Sequence, residues 1–152
     1  MSSGAVIDSS VLVAVLIGEP EAGVILDVLS GLEQCRISAV NVLEASTVMA
    51  SRRGSGGVAG LQSLFDVFDI EVAPFTADHA ALALDAWRAY GKGRHPARLN
   101  LGDCCAYALA KYSGRPLLAK GDDFAQTDIE LVALRAYRDV STGASVRADL
   151  PG

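Results

Sequence analysis

Histidine and cysteine are scarce in this chain of 152 residues, with two of the former and three of the latter. The thiols are Cys35, Cys104 and Cys105, an odd number with two neighbours, which argues against a disulfide framework. There is no CxxC pair, and His79 and His95 are the only histidines, so a zinc site of the Cys/His kind is not expected. The cysteines then read as small core residues. No apolar run approaches the length of a membrane span. The opening MSSGAVIDSS has neither the basic stretch nor the long apolar core of a secretory signal, so a cytoplasmic protein with no membrane role is expected. Phosphate-cradling loops are missing too. GSGGVAG (54–60) is glycine-rich but follows no strand and matches neither a Walker A nor a GxGxxG fingerprint, so it reads as a break in a helix.

What is abundant is apolar. Hydrophobic residues make up 51% of the chain, and the mean hydropathy is +0.31. The length suits one domain with a substantial core, and the surplus of apolar residues points to a surface buried in an interface. The net charge of −5, taken alone, argues against a nucleic-acid partner. Its distribution argues the other way. Arg88, Lys92, Arg94, His95, Arg98, Lys111, Arg115 and Lys120 fall in one third of the chain. They form either a solvated face or a local basic lane.

Periodicity predicts alternating strands and helices. AVID (5–8) is a strand ending at Asp8, and a helix follows from Ser9 to the stop at Gly18 and Pro20. EAGVILDVLSG (21–31) is a second helix, CRIS (35–38) a second strand, and NVLEASTVMASRR (41–53) a helix that resumes as VAGLQSLFDVF (58–68) after the glycines. IEVAPF (70–75) is a third strand, TADHAALALDAWRAYG (76–91) a helix capped by Thr76, and KGRHPARLN (92–100) a basic loop. A helix ending at Gly114, a strand RPLLA (115–119) and a turn KGDDFAQTD (120–128) complete the pattern. This is an α/β domain on a short parallel sheet. Residues 1–132 form the domain, and 133–152 a polar extension expected to end as a helix and to be partly disordered.

In such sheets sites form beyond the carboxyl ends of the strands. Asp8 and the Asp122–Asp123 pair fall there, and Glu44 and Asp103 fall in the first turns of helices. Each has a structural explanation. Asp8 can cap the helix at Ser9, NVLE (41–44) and NLGD (100–103) both look like capping boxes, and KGDD can be a plain turn. Together they are harder to dismiss, because several carboxylates at one sheet edge repel unless a cation neutralises them. Carboxylates without histidine suit Mg²⁺ or Mn²⁺, which serve phosphate chemistry by activating a water and shielding charge.

Four blocks in order, VIDSSVLVAVLIGEPEA (6–22), ISAVNVLEAS (37–46), YGKGRHPARLNLGDCCAYALAK (90–111) and PLLAKGDDFAQTDI (116–129), carry a resemblance. The chain resembles the PIN-domain ribonucleases, specifically the VapC-type toxins of bacterial toxin–antitoxin pairs. The resemblance spans roughly residues 4–130. It implies a three-layer α/β/α sandwich and a catalytic set of Asp8, Glu44, Asp103 and Asp123, with Asp8 and Asp103 as ligands of Mg²⁺ or Mn²⁺. Asp122 is close enough to Asp123 to stay open as the fourth acid. Ser10 matches a hydroxyl residue that steadies the first aspartate, and Asn100 matches an asparagine whose role is capping. The implied reaction is metal-dependent cleavage of RNA, of the tRNA or rRNA class, leaving a 5′-phosphate and a 3′-hydroxyl. The implied partners are a second copy of the chain and a VapB-like antitoxin. Lys92, Arg94 and Arg98 would steer the RNA backbone. Trp87 and Tyr90 beside that loop are expected in core or dimer packing rather than on a base.

Two other readings stand beside this one. A haloacid-dehalogenase-like phosphatase shares a strand-end Asp8, a downstream Lys120 and a GDDFAQTD run, but needs a second aspartate where this chain has Ser10. A PIN-like module that binds RNA or protein without cutting would not need all four acidic positions filled.

Overall fold

A strand covered on both faces must be apolar throughout, and GAVI is. It forms β1 (Gly4–Ile7), buried along its whole length. In the computed structural model, residues 4–134 are described, together with the backbone of two strands beyond them, Ala136–Arg138 and Val146–Ala148. β2 (Gln34–Ser38), β3 (Ile70–Ala73) and β4 (Leu117–Leu118) complete a parallel sheet in the order β3-β2-β1-β4. The expected strand at 115–119 is cut to two residues, and Leu117 pairs on its far side with the chain at Glu130 and Val132.

Alternation along the strands divides the core in two. Ile7, Ile37 and Leu118 face α1 (Ser9–Ile17), α2 (Ala22–Gly31) and the later half of α3 (Ala39–Val67), packing with Leu12, Ile25, Leu29, Leu61 and Phe65. Val6, Ala73 and Leu117 face the other way, against α4 (Ala77–Tyr90) and α5 (Leu101–Ser113), with Ala83, Ala86, Cys104, Ala106 and Leu109. The result is the expected three-layer α/β/α sandwich. All three cysteines are buried. α3 is broken at Gly54, whose φ of 59° and ψ of −147° suit a residue without a Cβ. This is the break expected from GSGG.

Two expectations fail. NVLE is not a capping box. The helix starts earlier, with Ser38 as cap accepting from the Val40 N–H at 3.3 Å, so Asn41 and Glu44 lie inside α3. The tail, expected to end as a helix, holds two short antiparallel strands instead, β5 (Ala136–Arg138) and β6 (Val146–Ala148), with β6 against α2. The disorder expected of the last residues concerns positions that lie largely outside those described.

Candidate active site

The strand order turns back between β1 and β4, and at that switch point the chain leaves β1 through Asp8. Its N–H donates to the Leu118 carbonyl at 2.9 Å, and its Oδ2 accepts from the Ser10 N–H at 3.1 Å, capping α1. The cap is real, but it uses one carboxylate oxygen only. Asp8 is 3% exposed, and its Oδ1 has no hydrogen-bond partner among the described residues. Burial pushes the Asp8 carboxyl up to about 7, the charges of Asp103 and Glu44 add to this, and the Ser10 hydrogen bonds oppose it. Besides the N–H that Ser10 gives to Asp8, its Oγ accepts from the Lys120 N–H at 3.1 Å.

Asp103 enters from the opposite layer. Asn100 and Asp103 form a reciprocal capping box: Asn100 Oδ1 accepts from the Asp103 N–H at 2.9 Å, and Asp103 Oδ2 accepts from the Asn100 N–H at 3.0 Å. The start of α5 thus fixes the carboxylate in place. Burial raises the Asp103 carboxyl, with Glu44 and Asp123 contributing charge and the Asn100 hydrogen bond opposing. The electrostatic coupling of Asp8 with Asp103 and Glu44, and of Asp103 with Glu44 and Asp123, shows that the fold brings the four expected acids into one neighbourhood. Asp123 opens a 3-10 turn (Asp123–Gln126) and lines a cleft of about 240 Å³ with Asp103, Lys92, Arg98 and Asn100. Asp122 and Asp123 are both exposed, and of the two Asp123 lines that cleft.

Three residues to which the sequence assigned no part in the site border Glu44. Ser9 Oγ donates to Glu44 Oε1. Asn41, fully buried, donates from Nδ2 to Glu44 Oε1 at 3.3 Å and to the Gly102 carbonyl at 3.0 Å, tying α3 to the first turn of α5. Gly102 lies flush against the carboxylate, and a Cβ there would stand 2.7 Å from Glu44 Oε1, so that any side chain would displace the Glu44 carboxylate. A glycine inside an otherwise good helix start was the available signal.

The basic residues divide. Lys92 and Arg98 line the acidic cleft. Arg94 does not. Its guanidinium stacks 4.7 Å over the Trp87 ring, and its Nε donates to the Arg88 carbonyl at 3.4 Å. Trp87 is 41% exposed, so of the core or dimer packing expected for it the core placement is not what the single chain shows. It borders an apolar groove of about 540 Å³ with Phe75, Leu84 and Leu101, which shares Lys92 and Asn100 with the cleft. Tyr90 is partly buried, edge-on to His95 at 5.2 Å.

The donor set is oxygen only, and Asp8 Oδ1 is a buried acceptor with nothing to accept. Both fit a hard cation. Among the described residues no group of three His, Cys, Asp or Glu side chains is arranged to hold an ion unaided.

A PIN-domain family model matches residues 5–130. The chain belongs to the PIN-domain family, in its VapC-type branch. Ribonuclease VapC42 of Mycobacterium tuberculosis is 44% identical over 126 residues, 82% of this chain and 95% of that one. Ribonuclease VapC36 of the same organism is 40% identical over 133 residues, 87% and 96% of the two chains. The fold is shared with M. tuberculosis VapC20, a sarcin–ricin loop cleaving toxin, at a TM-score of 0.67 and 17% identity, covering 82% and 95% of the two chains. It is shared equally with VapBC2 of Rickettsia felis, solved on a promoter DNA fragment, at 0.67 and 12% identity, covering 84% and 96%. Of the features that suggested a phosphatase, Asp8, Lys120 and the GDDFAQTD run, Lys120 has its side chain ion-paired with Glu19 and Glu21.

Proposed function

We propose that this VapC-type PIN domain is a divalent-metal-dependent endoribonuclease toxin of the cytoplasm, acting on structured RNA of the tRNA or rRNA class. The observation that carries this reading is the buried Asp8, with one oxygen spent on a helix cap and the other unpartnered beside Asp103 and Glu44. Such a pair is costly unless positive charge is supplied. Asp8 and Asp103 would hold Mg²⁺ or Mn²⁺. The ion, when bound, supplies Lewis acidity and charge against the phosphate. Asp123 and Glu44 each lie within electrostatic reach of Asp103, Glu44 held by Ser9 and Asn41. Lys92 and Arg98 sit at the mouth of the cleft, where an acidic protein needs local positive charge to receive a polyanion.

The names of the curated relatives support the nuclease reading. A VapB-like antitoxin is the proposed inhibitor, supported by solved neighbours that are toxin–antitoxin complexes. The proposed homodimer draws support from the exposed apolar groove beside the cleft.

The test uses antitoxin-free protein on total cellular RNA with Mn²⁺, Mg²⁺ or chelator, beside Asp103→Asn. Asparagine retains an oxygen for the capping bond and loses the charge. The expected result is discrete fragments that require both metal and Asp103, with the variant folded as wild type. Cleavage that survives chelation or the substitution would sink the reading.

A further inference from the structure

Asp123 presents a problem of position. It sits on a short turn, exposed, facing Asp103 across a polar cleft. Two carboxylates repel, and a free turn would swing outward. The turn is tethered at both ends. Upstream, the Lys120 N–H donates to Ser10 Oγ at 3.1 Å, and its Nζ ion-pairs with Glu19 and lies 3.8 Å from Glu21, both on the connection between α1 and α2. The chain then turns through Gly121, at a φ of 92°. Downstream, Phe124 is buried at 3% exposure, and Asp128 accepts from Tyr107 Oη at 2.5 Å and from Lys111 Nζ at 2.7 Å, both on α5. One tether reaches the layer that carries Asp8, and the other reaches the helix that carries Asp103.

We propose that Lys120 and Asp128 are positioning residues that hold the Asp123 turn against Asp103, acting through Asp123 and not on the substrate. This rests on the nuclease reading above. Neither side chain lines the acidic cleft, and each is satisfied by partners outside it. Their work is mechanical. They keep a fourth oxygen donor near the first two before any cation arrives, so the cation need not draw the turn inward.

Lys120→Met removes the ion-pair part of the upstream tether, leaving its N–H bond to Ser10, and Asp128→Ala removes the polar part of the downstream one, leaving Phe124 buried; each leaves the four acids intact. Lys120→Arg restores a cation of similar reach. Mn²⁺ affinity by calorimetry, and kcat and KM on an RNA fragment cut by the wild type, are measured on folded protein. Loss of an outer partner of this kind costs roughly tenfold in metal affinity or activity. Lys120→Met and Asp128→Ala are therefore each expected to weaken Mn²⁺ and lower kcat by about that factor, with KM within about twofold, and Lys120→Arg to recover most of it. Folded variants that match wild type in Mn²⁺ affinity and kcat overturn the proposal. So does a rise in KM alone, which would make Lys120 an RNA contact. Wild type that neither binds Mn²⁺ nor cuts RNA overturns the nuclease reading, and the tethers fall with it.

Discussion

Gly102 shows how narrowly the site is built. Its missing side chain lets the first turn of α5 press on the Glu44 carboxylate, while Asn41 bonds both. Gly102→Ala would push the Glu44 carboxylate off its bonds to Ser9 and Asn41, beside Asp103, at a cost of about 1–3 kcal/mol. A folded variant with cleavage down by more than tenfold is expected from RNA digestion and thermal unfolding read together, at 1.36 kcal/mol per factor of ten. Asp8 gives a second prediction. Its folded pKa of about 7 stands above its ordinary 3.8, and Asp103 shifts the same way. The metal-free folded state therefore binds protons more tightly than the unfolded chain. Stability from these groups is fully present at low pH and is lost as pH rises toward the folded values. Urea unfolding of chelated protein should show stability falling between about pH 4.5 and about pH 7.5 by a few kcal/mol, at ~1.4 kcal/mol per unit, and Asp8→Asn should flatten that slope. Parallel profiles would mean that Asp8 is not held in the environment described.

At the scale of elements, the start of α5 does two jobs. Asn100→Ala removes one half of the capping box and should cost about 1 kcal/mol, or roughly 2–4 °C in Tm for a domain of this size. Cleavage should fall further than so small a loss of fold explains, because the same box orients Asp103. Capping is also where the sequence could be read well and badly. NLGD was legible because the box closes within four residues. NVLE has the same pattern of an asparagine and an acid three residues on, but Ser38 begins the helix three residues earlier, and only the end of β2 fixes that. The strands and the long helices were legible from their apolar spacing. β4 was overestimated because one of its edges is filled by the chain at Glu130 and Val132, a pairing that no local pattern announces. Asp8 and Asp103 stood out as acids at element ends. Ser9, Asn41 and Gly102 did not, because each matters only through a neighbour 35 or more residues away or through one held by such a neighbour. The stack of Arg94 on Trp87 was not legible for a related reason, since it depends on how the basic loop folds back on α4.

On the scale of the whole molecule, charge and apolar surface are segregated. The chain carries −5 overall, yet Lys92 and Arg98 flank the acids. Replacing both with alanine should weaken RNA binding and flatten its salt dependence, by about 0.7 in the log–log slope for each phosphate of a single strand that is no longer neutralised. An unchanged slope would show that the backbone enters elsewhere. The apolar groove lies next door, with Leu84 46% and Leu101 77% exposed. Leu101→Asp is expected to convert a dimer into a monomer by light scattering, and a mass that stays dimeric would move the interface to another face. The same groove shares Lys92 and Asn100 with the cleft, so a protein seated on it would sit at the entrance for RNA.

Finally, Cys35, Cys104 and Cys105 are all buried. Burial pushes Cys35 and Cys104 up to about 11 and raises Cys105 as well, so at neutral pH the thiols are protonated as well as hidden. Toward a maleimide or a nitroxide reagent the folded chain should behave as a cysteine-free protein. A single cysteine introduced at the exposed Ala125, on the turn that follows Asp123, would then take a spin label alone. Its separation from bound Mn²⁺ could be measured directly, without first stripping the native thiols from the core.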